Sequence, residues 1–166
     1  PIFIGANEAG VHAVLPLLDA FRVNHPGVLV DVRRLHSRQI AQEVLLRSVD
    51  FGILTFAPAE KELQTIPLVT DELVLLVRPN DPLAKRKQIT MEEMGRQTII
   101  AHNDPSPARD RVLRLYEQRH TQLNIRLSLP SLDGIKRAVE MGLGVALLPR
   151  RCAMAEISRG QLAAVL

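Results

Sequence analysis

Short apolar strands alternate with amphipathic helices on both sides of Thr70-Asp71-Glu72, and no other feature constrains the fold of this chain as much. Ile2-Phe3-Ile4 reads as a buried strand. Residues 10 to 24 read as a helix, with Val11, Val14, Leu15, Leu18 and Phe21 at helical spacing, stopped by His25-Pro26-Gly27. Val28 to Leu35 is a second strand. Ser37 is placed to cap a helix carrying Ile40, Val44 and Leu45 on one face. Phe51 to Leu54 is a third strand, and Thr65 to Val77 is extended.

The pattern restarts beyond the turn Pro79-Asn80-Asp81-Pro82. Thr90-Met91-Glu92-Glu93 has the capping-box spacing and opens a short helix. Thr98 to Ala101 is a strand, followed by a loop from His102 to Pro105. Ser106-Pro107 supplies a cap and a proline at the first helical position, and the helix carries Val112, Leu115 and Tyr116. Ile125 to Leu129 is a strand. Ser131 caps a helix with Ile135, Ala138, Val139 and Gly142 inward, and Val145 to Leu148 is a strand ended by Pro149. Strands separated by helices imply parallel sheets covered on both faces, arranged as two small α/β lobes joined by extended hinge strands. Open sheets of this kind bind ligands beyond the carboxyl ends of their strands. Two lobes face to face make a cleft for a small molecule.

Composition narrows the partners. With 46% hydrophobic but only 3% aromatic residues and no Trp, the core must be aliphatic, and the low aromatic count argues against a stacking platform for single-stranded nucleic acid. A net charge of +3 is not that of a nucleic-acid groove, and Arg33-Arg34, Lys85-Arg86-Lys87 and Arg150-Arg151 read as solvated surface. Cys152 is the only cysteine, so one chain holds neither a disulfide nor a cysteine metal site, which fits a reducing cytoplasm. No apolar run reaches the roughly 18–20 residues of a membrane span, and the first residues do not read as a secretion signal.

Catalytic motifs are weak. Gly142-Leu143-Gly144 ends a helix and lacks the third glycine of a dinucleotide fingerprint, so it reads as a C-cap with close packing. There is no phosphate loop and no nucleophile elbow. His12, His25, His36, His102 and His120 do not fall at metal-ligand spacing. No catalytic residue, metal or cofactor is assigned. What remains are loops leading from strand ends to helix N-termini, where unpaired N–H groups favour acceptor or negative groups. They are Asn7-Glu8-Ala9, Ser37, His102-Asn103-Asp104 and Pro130-Ser131. Glu8 has two readings: a carboxylate stabilising its own helix, or one that faces a ligand and selects for a donor or cation.

Four stretches, in order and across nearly the whole chain, resemble the effector-binding domain of LysR-type transcriptional regulators. They are IGANEAGVHAVLPLLDAFRVNHPGV, SRQIAQEVLLRSVDFGI, LVTDELVLLVRPNDPLA and IKRAVEMGLGVALLP. The resemblance implies two Rossmann-like lobes of the type 2 periplasmic-binding-protein-like fold, residues 1–71 and 72–166. It implies a helix-turn-helix domain ahead of Pro1, and a return segment after Leu166 that completes the first lobe. By position it implies an effector site of Asn7, Glu8, Ala9, Ser37, Thr55, His102, Asn103, Ser106, Pro107, Arg109 and Ser131. Arg109 is a fork donor suited to a carboxylate. Ala9 stands where a hydroxyl is frequent, and Ser48 where Gly is usual.

The function implied is a non-enzymatic, cytoplasmic, ligand-sensing domain. It takes an organic acid or another small polar metabolite and contacts DNA only through the preceding domain, with no role at a membrane. It pairs as a homodimer or tetramer through helices 10–24 and 131–142, with Val14 or Leu17 as contacts. The alternatives are a periplasmic-type solute-binding protein and a transferase on a related two-lobe fold.

Overall fold

A computed structural model describes residues 1–103 and 107–166, leaving aside the side chains of residues 107 and 108. The chain divides into two compact units, Pro1–Thr70 and Asp71–Leu166.

In the first unit, β1 (Ile2–Ala6) lies between β2 (Val30–Arg34) and β3 (Phe51–Ile53), all parallel. The central strand is the best covered, so Ile4 and Ala6 are buried. The two parallel links require crossovers, supplied by α1 (Glu8–Asn24) and α2 (Ser37–Leu45). α1 starts two residues before the position expected. Asn7 adopts the extended N-cap conformation and accepts the Gly10 N–H at 2.7 Å, so Glu8 and Ala9 belong to the helix and not to a turn. Pro16 sits mid-helix on the solvent side without ending it.

Several expectations for this unit are corrected. Val14 is buried in its own unit, leaving Leu15 and Leu17 as the exposed apolar residues of that stretch. In α2 the inward residues are Ile40 and Ala41, while Leu45 faces solvent. Val49 is buried within the turn at residues 47–50. The left-handed residue of that turn is Arg47, at φ 59°, so a glycine there belongs at 47 and not at 48. Residues 65–72 form no strand; only Leu73–Val77 of the expected extended stretch does.

In the second unit, β4 (Leu73–Val77) is the middle of a three-stranded sheet, between β7 (Ala146–Pro149) and β8 (Ala163–Val165). Both pairings are antiparallel, with Leu76 opposite Ala146 and Ala164. The expected purely parallel sheet is therefore wrong here. β4 is apolar at every position, a pattern that marks burial on both faces but carries no direction. The parallel part is β5 (Ile99–His102) with β6 (Ile125–Leu129), tied to the other three strands by a parallel bridge from Ile99 to Val145. The core between them is aliphatic: Leu75, Val77, Ile99, Val145 and Val165.

Around these strands lie α3 (Met91–Gly95), α4 (Pro107–Gln118), α5 (Leu132–Glu140) and the short α6 (Met154–Ser158). α3 opens with the Thr90/Glu93 capping box that its sequence predicts. α5 ends at Glu140, and Gly142 follows it in the left-handed conformation at φ +80°, exposed and not inward. Gly144 is a close-packing glycine, since a Cβ there would lie 2.7 Å from the Thr98 carbonyl oxygen.

Candidate functional site

The parallel strands of the first unit end level with one another. Ala6 is in register with Arg34 on one side and Ile53 on the other. The residues just past those ends gather at one edge of the sheet, the edge where open α/β sheets bind ligands. Asn7 follows β1, Ser37 lies three residues past β2, and Thr55 lies two past β3.

Asn7 holds this edge together. Its Oδ1 caps α1 at Gly10, while its Nδ2 donates to the Ser37 hydroxyl at 2.8 Å. Ser37 is thus not the expected cap. The N-cap of α2 is His36, which makes no side-chain cap bond, and Ser37 is the first helical residue, buried and tied to the neighbouring helix. Two helix N-termini are fastened side by side, and both direct partial positive charge to the same edge. Gly10 leaves room for this closeness: a Cβ there would lie 3.1 Å from Asn7 Oδ1 and 3.3 Å from Ile53 Cγ2, tight enough that those side chains would have to shift by a few tenths of an ångström. Glu8 occupies the first turn of α1, where a carboxylate is favoured. Thr55 is exposed and lines a depression of about 380 Å3. Ile40, Ala41, Val44 and Gly52 form its floor.

In the second unit, β5 and β6 end together, His102 opposite Leu129, and the Asn103 N–H continues the ladder to the Leu129 carbonyl at 2.9 Å. Arg109, from the first turns of α4, donates Nη1 to the His102 carbonyl at 3.0 Å. One of its five N–H donors is thereby used to hold the guanidinium at the strand end. Ser131 caps α5 as its sequence predicts, accepting the Gly134 N–H at 3.0 Å. His102, Asn103, Arg109 and Ser131 therefore share one sheet edge. Ser106 lies outside the described residues, and Pro107 opens α4.

Sequence reasoning missed the Asn7–Ser37 bond, which joins positions thirty residues apart. It also missed Lys136. This lysine is 5% exposed, and its Nζ donates to the Cys152 carbonyl at 2.9 Å and to Glu156 Oε1 at 2.7 Å. It fastens α5, and with it the Ser131 cap, to the segment after β7. The helical period was the available signal, because residue 136 falls one turn from both Leu132 and Val139 on the buried stripe. Among the described residues no group of His, Cys, Asp and Glu is placed to hold a metal. The first edge carries two helix N-termini with an amide and a hydroxyl, and the second carries helix N-termini with a guanidinium and a hydroxyl.

Comparison with known proteins places this geometry. A family model described as LysR substrate binding domain matches residues 1–166. A probable RuBisCO transcriptional regulator of Trieres chinensis is 30% identical over 156 residues, covering 89% of this chain and 50% of the relative. The HTH-type transcriptional activator CmpR of Synechocystis sp. is 25% identical over 139 residues, covering 84% and 46%. The chain thus spans about half the length of the curated relatives it matches. Among solved structures, the Synechocystis PCC6803 CcmR regulatory domain in complex with 2-PG superposes with a TM-score of 0.86 at 23% identity, over 99% of this chain and 80% of that one. The effector binding domain of QuiR in complex with shikimate gives 0.80 at 20% identity, over 99% and 78%. The fold is the α/β, type 2 periplasmic-binding-protein-like architecture. No helix among the described residues is long and apolar enough to cross a membrane.

Proposed function

We propose that this chain, which belongs to the LysR substrate binding domain family, is the ligand-sensing domain of a bacterial transcription factor. It binds a small polar metabolite and transmits its presence to a DNA-binding segment elsewhere in the full-length protein. The observation that carries the reading is the pair of tailored sheet edges: Asn7 with Ser37 in the first unit, and His102, Asn103, Arg109 and Ser131 in the second. Helix N-termini and a guanidinium select a ligand with acceptor or anionic groups, so an organic acid is the favoured class. Glu8 supplies a carboxylate at the first edge and favours a metabolite that also carries a donor.

Binding shifts an equilibrium between two conformations, and no covalent step is involved. The domain works in the cytoplasm as a dimer or tetramer, pairing through α1 and α5, with Leu17 among the contacts. A metabolite panel tests the reading by thermal shift: organic acids, amino acids, sulfate and sugar phosphates, with 2-PG and shikimate included. A ligand at about 100 times its dissociation constant adds roughly 2.7 kcal/mol, and about 5–10 °C in Tm for a domain of this size. A panel that leaves Tm unmoved, with turnover of any member, would favour the transferase alternative.

A further inference from the structure

The orientation of the Asn7 side-chain amide is set by a partner that has only one role. The Gly10 backbone N–H can only donate, so the atom it meets at 2.7 Å is Oδ1. The other end of the amide, 2.8 Å from Ser37 Oγ, is therefore Nδ2, which again can only donate. The Ser37 hydroxyl is cast as the acceptor, and its own proton must point away from Asn7. Ser37 is 5% exposed, and among the described residues that proton meets no acceptor. The backbone N–H of Ala9, in the first turn of α1, is likewise unbonded among the described residues. His36, the N-cap of α2, makes no side-chain bond to its helix. A buried donor is costly to leave unmet, so what this edge calls for is an acceptor.

We propose that Asn7 is a positioning residue that locks Ser37 as a hydrogen-bond donor, so that the first edge takes an acceptor-only group of the ligand, such as a carboxylate, sulfate or phosphate oxygen, and rejects an ammonium at that point. The proposal rests on the sensing reading above and adds a polarity to one place within it. The lock works because asparagine carries its donor and its acceptor on separate atoms. A hydroxyl at position 7 could donate or accept, and would leave Ser37 both roles. An aspartate there would keep the cap on α1 and reverse the bond, because both of its oxygens accept. Ser37 would then turn its proton inward and offer the ligand only a lone pair. A ligand group that brings its own donor to the locked Ser37 meets proton with proton, which is discrimination by a mismatch and not by size. A donor matched to Glu8 must then sit on another part of the ligand.

Sulfate is the probe, because it accepts hydrogen bonds and donates none. Backbone amide NMR of the chain, titrated with sodium sulfate at an ionic strength held constant with chloride, reads Ala9 and Ser37. Both amides should move along one saturable curve. Ser37→Ala should weaken sulfate by roughly tenfold, the loss of one hydrogen bond to a charged group. Asn7→Asp should weaken it at least as much with Tm maintained, since aspartate caps a helix as well as asparagine does. Measurements without any ligand isolate the lock. One proton of the Asn7 side-chain amide should move upfield in Ser37→Ala, because it loses its acceptor. The carboxyl introduced by Asn7→Asp should titrate below the ordinary carboxylate range, and adding Ser37→Ala should raise it. An Asn7 amide signal indifferent to Ser37→Ala, no saturable sulfate shift at Ala9 and Ser37, or unchanged sulfate affinity in Ser37→Ala overturns the proposal. The metabolite panel stands or falls separately. A metabolite that raises Tm equally in the parent and in Ser37→Ala overturns the lock and leaves the sensing reading in place. Sulfate binding that depends on Ser37, beside a panel that leaves Tm unmoved, does the reverse.

Discussion

Asn7 and Ser37 are thirty residues apart in sequence, and the amide of one donates to the hydroxyl of the other across 2.8 Å. The same asparagine caps α1 through its other side-chain atom. Asn7→Ala should therefore lose both a cap, worth about 0.5–2 kcal/mol, and a tertiary hydrogen bond of about 1 kcal/mol. Ser37→Ala loses the second alone. A double-mutant cycle by urea denaturation should return a coupling of about 0.5–1.5 kcal/mol, because the two residues share one bond.

Lys136 is buried with its ammonium on the Cys152 carbonyl and the Glu156 carboxylate. Taking away one partner of a buried pair costs more than replacing both. Lys136→Ala should lower stability by about 2–3 kcal/mol, somewhat less than a fully buried pair, since the Glu156 side chain retains 21% exposure. Lys136→Met with Glu156→Leu should fall within about 1 kcal/mol of the parent. Chemical denaturation of the three proteins checks the order.

Tyr116 is the one aromatic side chain of the deep core, and its hydroxyl finds no hydrogen-bond partner among the described residues. Burial pushes its ionisation up to about 12 from an ordinary 10. Tyr116→Phe should be neutral to about 1 kcal/mol more stable at neutral pH, because it removes an unsatisfied polar group. The raised value also means that folding favours the neutral phenol. That contribution is complete below pH 10 and is lost as pH rises toward 12. The alkaline loss should be absent from the Phe variant when denaturation midpoints are compared.

Glu93 responds in the opposite direction. The Arg86 guanidinium, followed by the Thr90 backbone N–H, holds its carboxyl down to about 2 from an ordinary 4.5. Its stabilising contribution is present above pH 4.5 and is lost as pH falls from there through about 2. Glu93→Gln should flatten the acid side of the stability profile in that window, and a carboxyl-resolved NMR titration should place the group directly.

What could be read in the chain was local. The Thr90/Glu93 box and the Ser131 cap follow from residues three apart, and both stand as read. β6 matches its expected bounds because Gln122, Asn124 and Pro130 punctuate it. β4 was recognisable as a strand but not as an antiparallel one, since uninterrupted apolar sequence carries no orientation. β8, only three residues of Ala-Ala-Val, is defined by its pairing with β4 and has no period of its own. Ser37 has the composition of a cap, and tertiary contact with Asn7 claimed its hydroxyl instead. Side-chain bonds between distant segments leave no spacing to detect, and the first edge of the site is built from one.

The central claim is that a polar metabolite is read at these strand edges. Backbone amide NMR of the chain titrated with a metabolite that raises its Tm tests this most directly. The account predicts shifts concentrated at residues 7–10, 37, 102–103 and 131–134, diminished in Arg109→Ala. Shifts confined to other surfaces, such as the 54–67 rim of the first unit, with those amides unmoved and Arg109→Ala silent, would contradict it.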